Sequence, residues 1–467
     1  MLLQFVVENY KSFAGEAILS CVRSPQEKHD PVRLIALYGA NAAGKSNLLQ
    51  ALQEARALIV HGTPRGAPIS AERPFQLDPS ARARPVRFGF DVLIQKIHYS
   101  YGFSVLGGVI FDEFLITIGD DGSEEVIFER ETISDGSGFG DGSVSSRQQI
   151  RWSSKFSNAQ EKYFTDFLWD GTAPNQLTLY KISDHIKSAQ LSNMNLSSLF
   201  EWFQNGIWID PRLSHQGFLT EHYVAAHEYY SLVSHIHMCS DFKHFLEQIL
   251  SDADTGVSSI DLKENTSPLK MERAVILELR KTNADMWSPY EQSIQQLLID
   301  SAPPQRVHFK RSTDYDIVFE HGGTGQQLSW QDESQGTRRL AWLVIMLFNL
   351  ANRKNILFVI DELERSLHPL LSKFILEKII DIKSSGQLIF TTHDTDLMNI
   401  KNLQSESICF VEKDKGGSSS LYSLADFKPE QVEHIREQLE LGYFIGRFGA
   451  IPALQNHVHS DESERLP

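Results

Sequence analysis

The stretch from Gly39 to Ser46 reads GANAAGKS and fits the pattern G-x-x-x-x-G-K-[ST]. Glycines at these positions let the backbone curl until successive N–H groups converge on one anion, and a following helix adds its positive N-terminus. Lys45 is then expected to reach the β- and γ-phosphates of a nucleoside triphosphate, and the Ser46 hydroxyl to hold Mg²⁺. Gly39, Asn41, Ala42, Gly44, Lys45, Ser46 and Asn47 are the expected nucleotide contacts. A second group of residues supplies the rest of the chemistry. The apolar run Asn355 to Ile360 ends in Asp361 and Glu362. Asp361 is expected to hold the metal, and Glu362 to orient or deprotonate the attacking water. Another apolar run, Leu388 to Thr392, ends in His393, placed to sense the γ-phosphate. Asp394 and Asp396 resemble a second metal pair, although capping of the next helix explains them as well.

Elements must deliver these groups. Arg33 to Tyr38 reads as a short buried strand entering the cradle, and Ser46 to Leu58 as the helix leaving it, with Leu48, Leu49, Leu52, Ala55 and Leu58 on its apolar side. The acid strand is expected beside the cradle strand. Asp332 to Leu340 starts a further apolar helix, and Ser334, Gly336 and Thr337 at its head offer another anion site from backbone N–H groups and helix dipole. One chain has no use for two such sites unless the second meets the nucleotide of a neighbouring subunit. An ordinary N-capped helix explains the motif equally.

The chain has 467 residues, enough for two or three domains. With 41% hydrophobic and 22% charged residues it has the composition of a folded soluble protein. Cys21, Cys239 and Cys409 are too few and too scattered for a disulfide framework or a cysteine zinc site. Met1 to Glu8 alternates like a strand and carries no signal-peptide features, and the longest apolar run, Leu340 to Leu350, is too short to cross a bilayer. A cytoplasmic protein without membrane contact is expected. The net charge of −16 gives no general attraction for a phosphate backbone, so nucleic acid is a partner only through a local groove.

Residues 1–150 read as β-rich around the cradle helix, with strands at Val86 to Val92, His98 to Val105, Val109 to Ile118 and Glu125 to Glu131. The Gly/Ser/Asp-rich stretch Ser134 to Ser143 reads as an exposed loop. Residues 151–305 read as a helical insertion, with Tyr229, Leu232, Val233, Ile236, Phe242, Phe245, Leu246 and Ile249 at helical spacing, and with breaks at Thr282-Asn283 and Ser301 to Pro304. Residues 306–430 return to strands (Arg306 to Lys310, Tyr315 to Phe319), and 431–467 close the chain as helix and tail. His215, His222, His227, His235, His237 and His244 lack the spacing of a metal site, so packing or surface roles are expected.

The order of these motifs resembles an ABC-type ATPase head of the chromosome-maintenance, RecF-like and OLD-like kind. It runs Asn9-Tyr10-Lys11-Ser12-Phe13, the cradle, Glu333 to Thr337, Asp361-Glu362, Glu364 to Pro369 and His393. The resemblance implies an α/β P-loop head, with a mixed sheet, an antiparallel β subdomain and a helical insertion. It also implies a homodimer sandwiching ATP and Mg²⁺ between Lys45 and Ser46 of one subunit and Ser334 and Gly336 of the other, with the segment Ser366 to Pro369 crossing the interface. Arg73 to Asp78, Phe410 to Leu424 and Gly442 to Pro452 resemble more narrowly the AAA-family ATPases of the AbiL/RloA abortive-infection type. That likeness implies a sensor or scaffold subunit of an anti-phage defence system, a dimer or larger, working with a separate nuclease or toxin.

The sequence departs from that pattern where Leu403 to Ser407 is neutral to acidic instead of basic. The glutamine that links γ-phosphate to the helical lobe is either Gln76 or Gln176. No long coiled coil is present, and the roughly 70 residues after His393 are too few for an appended metal-dependent nuclease. A RecF-like DNA-repair ATPase and a scaffold that barely hydrolyses are the alternatives.

Overall fold

The computed structural model describes residues 1–23, 31–134, 146–152, 172–186, 196–213, 221–265, 269–271, 307–309, 314–322, 325–401, 403–428 and 439–451. Most of the expected loop 134–143, the breaks at 282–283 and 301–304, His215, and the tail from Pro452 lie outside the described residues.

Alternating or continuous apolar residues build the first strands, β1 (Leu2–Glu8), β2 (Ala17–Ser20) and β3 (Leu34–Tyr38), and helix α1 (Lys45–His61) follows. Next come β4 (Val86–Ile94), β5 (Ile97–Leu106), β6 (Val109–Ile118), β7 (Glu124–Ser134) and β8 (Ser146–Trp152). Among the described residues these strands, without β3, form a seven-stranded antiparallel sheet in the order β2-β1-β4-β5-β6-β7-β8.

The middle of the chain contains α2 (Thr178–Ile186), α3 (Leu196–Glu201), β9 (Ile207–Ile209), α4 (Glu221–Met238), α5 (Ser240–Asp252), β10 (Val257–Asn265) and β11 (Leu269–Met271). This stretch is therefore not uniformly helical, as the spacing had suggested. β9 is three residues long, too short to show a period. In β10 a register shift between Val257 and Ser259 breaks the two-residue alternation. Its partner is β13 (Asp314–His321), which follows β12 (Val307–Phe309) and precedes β14 (Gln326–Ser329).

The last part of the described chain supplies α6 (Gln335–Asn352), β15 (Leu357–Ile360), α7 (Pro369–Asp381), β16 (Gln387–Thr391), β17 (Ile408–Lys413), β18 (Ser419–Ser423) and α8 (Leu439–Phe444). The central sheet runs β18-β17-β3-β16-β15-β9, parallel except for the β17–β18 hairpin. The acid strand β15 is thus not beside the cradle strand β3; β16 lies between them.

Both faces of this sheet are covered, which explains why its central strands β3, β16 and β15 are buried throughout. Ile35 and Leu37 of β3 join one core with Leu48, Leu49, Leu52 and the antiparallel sheet, while Leu34, Ala36 and Tyr38 join the other with α4 to α7. Each fully buried leucine of α1 contributes about 1.5–3 kcal/mol. The architecture is α/β, a mixed P-loop sheet joined to an antiparallel β subdomain.

The segment Gly442 to Pro452 has a packing role as far as Ile451. Tyr443 and Phe448 stack on Phe410 of β17 with ring centroids 5.9 and 5.6 Å apart, and Tyr38 lies 6.2 Å from Tyr443. Tyr443 and Tyr422 donate hydrogen bonds to the Ala450 and Phe448 carbonyls. The segment seals the sheet behind the cradle strand.

Candidate nucleotide site

The cradle lies at the C-terminal end of β3, where parallel α/β sheets place ligands. A Cβ on Gly39 would sit 2.3 Å from the Val411 carbonyl oxygen, and one on Gly44 2.5 Å from Ser419 Oγ and 2.8 Å from Ser12 Oγ. Gly44 also has a φ of 119°, so neither position admits a side chain. No side chain caps α1 at Gly44, which leaves first-turn N–H groups to an anion. Lys45 is 7% exposed and donates to the Gly39 and Ala40 carbonyls at 2.7 and 3.1 Å. Burial lowers its pKa, while Asp361, Glu364 and Glu362 act in the opposite sense. Asn41 and Ala42 are exposed on the loop, and Ala42 has a positive φ of 61°. Asn47 instead donates to Ser12 Oγ at 2.9 Å, tying α1 to the Asn9–Phe13 turn.

The strand between cradle and acids now has a purpose. Thr391, at the end of β16, donates to Asp361 Oδ1 at 2.6 Å and accepts from the Glu362 N–H at 2.8 Å. Ser46 Oγ donates to the same Asp361 oxygen at 3.2 Å. One threonine thus fixes both acids against the cradle, and sequence reading passed over it as an ordinary strand residue. Burial raises the Asp361 pKa, and the hydrogen bonds from Thr391 and Ser46 pull it back. Mg²⁺ takes hard oxygens and is commonly held by one or two protein groups plus phosphate and water. The adjacent Ser46 hydroxyl and Asp361 carboxylate fit that requirement.

Glu362 adopts φ 51°, a left-handed conformation uncommon for a side chain of this size. Its carboxylate is 47% exposed and lies 3.8 Å from the Arg365 guanidinium. His393 donates its backbone N–H to Glu364 Oε1 at 2.7 Å. Burial first, and Lys45 second, hold the imidazole below its ordinary pKa of 6.5. A neutral ring at neutral pH can donate one hydrogen bond to a phosphate oxygen.

Lys45, Ser46, Asp361, Glu362 and His393 are thereby brought together. Ser334, Gly336 and Thr337 are held elsewhere and make no hydrogen bond to the cradle among the described residues. Ser334 caps α6, accepting from Thr337 N at 3.0 Å, and Glu333 accepts from Ser334 N at 2.7 Å. A Cβ on Gly336 would come within 3.1 Å of the Ser366 carbonyl, so this turn abuts the start of the segment Ser366 to Pro369. Asp394 accepts from Asp396 N at 3.2 Å, the cap arrangement.

Neither candidate glutamine joins the acid network. Gln176 donates to the Thr63 carbonyl at 2.8 Å, past the far end of α1 and roughly 25 Å from the cradle by helix rise. Gln76 is exposed in the turn after Phe75. The strand that does flank β15 is β9, and it ends in Asp210, buried and close enough to raise the Asp361 pKa. Asp210 pairs with Arg212 at 3.1 Å and Arg339 of α6 at 3.6 Å, and Glu228 of α4 pairs with both arginines. Arg339 is 3% exposed, and its pKa is lowered by burial to about 10. Its Nη2 reaches the Glu362 carbonyl at 3.5 Å. Asp210 and Arg339 thus connect the acid strand to the helix that begins at Ser334. A lone acid after an apolar triplet gave no sequence signal for this.

Among the candidate histidines, His244 is exposed beside Glu247, and two others pack. His235 shares a hydrogen bond with the Ser231 carbonyl at 2.7 Å and packs on Trp208 and Phe242, while His237 lies against Tyr315. Among the described residues no group of three or more His, Cys, Asp or Glu is placed to hold a metal, and no helix is long and apolar enough to cross a membrane.

Among solved structures, the chain is similar to an SMC head bound to the C-winged helix domain of ScpA, at 11% identity, 93% of this chain, 99% of that chain and a TM-score of 0.38. It is similar also to the SMC head domain from Thermotoga maritima, at 11% identity over 90% and 98% of the two chains, with a TM-score of 0.37. These likenesses are distant. No curated protein matches the sequence. The model of one family covers residues 34–399, from the cradle strand past His393. The chain belongs to the AAA-domain family described as putative AbiEii toxin, Type IV TA system.

Proposed function

We propose that this protein binds and hydrolyses ATP with Mg²⁺ as the sensor or scaffold subunit of a prokaryotic anti-phage defence system, and acts with a separate nuclease or toxin. The observation that carries the ATPase reading is the Ser46–Asp361–Thr391–Glu362 chain of hydrogen bonds. On this reading Ser46 at the start of α1 and Asp361 after β15 would hold the metal beside Glu362 as general base, as water attack on a γ-phosphate requires. Lys45 would neutralise phosphate charge and His393 would contact the γ-phosphate. Ser334, Gly336 and Thr337, turned to Ser366 and away from their own cradle, would clamp ATP held by a second copy. The reading treats 1–150 and 306–430 as two halves of one head, 151–305 as an insertion and 431–467 as a closing helix and tail. The family description supports the defence role.

A RecF-like DNA-binding ATPase is the second reading. It draws on a hollow of about 650 Å³ at the opposite end of the sheet, whose lining includes Arg33, Arg353, Lys354 and Lys383. One experiment separates the two: ATP turnover by the purified chain with and without duplex DNA, with Glu362→Gln as the blank. Turnover indifferent to DNA supports the defence sensor, and turnover that needs DNA and fades with salt supports the repair reading. Glu362→Gln should lower turnover by about 10²–10⁴-fold and accumulate an ATP-bound dimer. A Glu362→Gln protein that stays monomeric under saturating ATP would contradict the sandwich.

A further inference from the structure

Three polar atoms are sealed from solvent without a hydrogen-bond partner beside the sensing histidine: Tyr38 Oη, Glu364 Oε2 and Asp394 Oδ2. Tyr38 ends the cradle strand and is 1% exposed. Its hydroxyl is within electrostatic reach of both Asp394 and Glu364, and those two acids are within reach of each other. The other oxygen of each carboxylate is already engaged, Glu364 Oε1 by the His393 N–H at 2.7 Å and Asp394 Oδ1 by the Asp396 N–H at 3.2 Å. What remains is one free oxygen from each of three side chains, with none in hydrogen-bond contact with another.

Charge sharpens the point. The charged neighbours acting on Asp394 are Asp396, Glu364 and Glu440, all acidic. Lys45 is within electrostatic reach of Glu364, but it is bonded to the Gly39 and Ala40 carbonyls. Buried acceptors left unpaired are costly, and like charges add to that cost. Two carboxylate oxygens carry the negative charge and the neutral Tyr38 phenol adds a third hard oxygen, a set that suits a divalent cation of the Mg²⁺ or Ca²⁺ class. We propose that Tyr38, Glu364 and Asp394 bind such a cation at a site separate from the Ser46–Asp361 pair. Bound there, the ion would clamp the acids before and after His393 in space and fix the backbone from which the imidazole projects.

The test is isothermal titration of the full chain, nucleotide-free and stripped with chelator, with MgCl₂ and with CaCl₂. Without nucleotide, the outcome does not depend on whether the protein is an ATPase. A binding event is expected that survives Asp361→Asn and weakens at least about tenfold in Asp394→Asn. Tyr38→Phe removes a single oxygen and keeps the aromatic stacking, so it serves if Asp394→Asn does not fold, and it should weaken binding several-fold. No event in the wild-type protein, an event lost in Asp361→Asn, or affinity unchanged by both Tyr38→Phe and Asp394→Asn would overturn the proposal.

Discussion

Two buried arginines sit in very different company. Arg130, in the antiparallel sheet, is paired with Glu113 at 3.4 Å and donates to the Gln176 and Ala173 carbonyls at 2.6 and 3.2 Å. Glu113 in turn accepts from the Thr178 and Leu179 N–H groups and from Tyr101, so one ion pair fastens the start of α2 to the sheet. Arg339 is just as buried, yet where Arg130 leaves Nε alone unpaired, Arg339 leaves both Nε and Nη1 without a hydrogen-bond partner, and its contacts to Asp210 and Glu228 are 3.6 and 3.7 Å. A nearly saturated ion pair locks one geometry, whereas loosely held charges can exchange partners at low cost. The first cluster is architecture. The second spans the acid strand, α4 and the helix behind Ser334, where movement on nucleotide binding would have to pass.

The comparison can be broken most forcefully at Arg130. Arg130→Ala leaves Glu113 buried without its cation and should cost about 3–5 kcal/mol in urea unfolding, with ATP turnover per folded molecule unchanged. Arg339→Ala should cost less, about 1–3 kcal/mol, because Arg212 still pairs with Asp210 and Glu228. Its turnover per folded molecule should nonetheless fall about tenfold or more, because Glu362 loses its tie to α6. Equal turnover in the two variants would erase the distinction. The smallest effect concerns His393. Its pKa is depressed in the folded state, so the neutral ring's contribution to stability is present above the ordinary value of 6.5. That contribution declines as pH falls below 6.5 and the unfolded imidazole takes up its proton first. Comparing wild-type protein with His393→Gln by thermal melting, the difference should therefore be flat from about pH 7 to 8 and change only on the acid side.

What could be read from the sequence follows the same division. The cradle was legible because a strand, a glycine turn and a helix must be contiguous, and Gly39 and Gly44 have no substitute where Val411 and Ser419 approach them. The acid strand was legible as a fully apolar run ending in two acids. Its position was not, because strand order is decided by pairing across hundreds of residues, and β16 between β3 and β15 leaves no local mark. Thr391, Asp210 and Arg339 were invisible for a related reason. Each is ordinary in its own segment and acquires meaning only from what lies opposite. Asp210 escaped notice in the same way, because it gains its place only from the strand that flanks the acids.

The pairing of Leu34 with Leu388 also sets a clock. All five residues of the cradle strand are buried in the finished sheet, and its neighbours on both sides come from beyond residue 386. During synthesis that strand must wait for 354 more residues (388 − 34), roughly 20–70 s at ribosomal speed, with no native partner on either edge. A nascent chain therefore carries the phosphate-loop sequence long before it can carry the hydrolytic site. Its unpaired strand is a natural client for chaperones until β16 and β17 have been made.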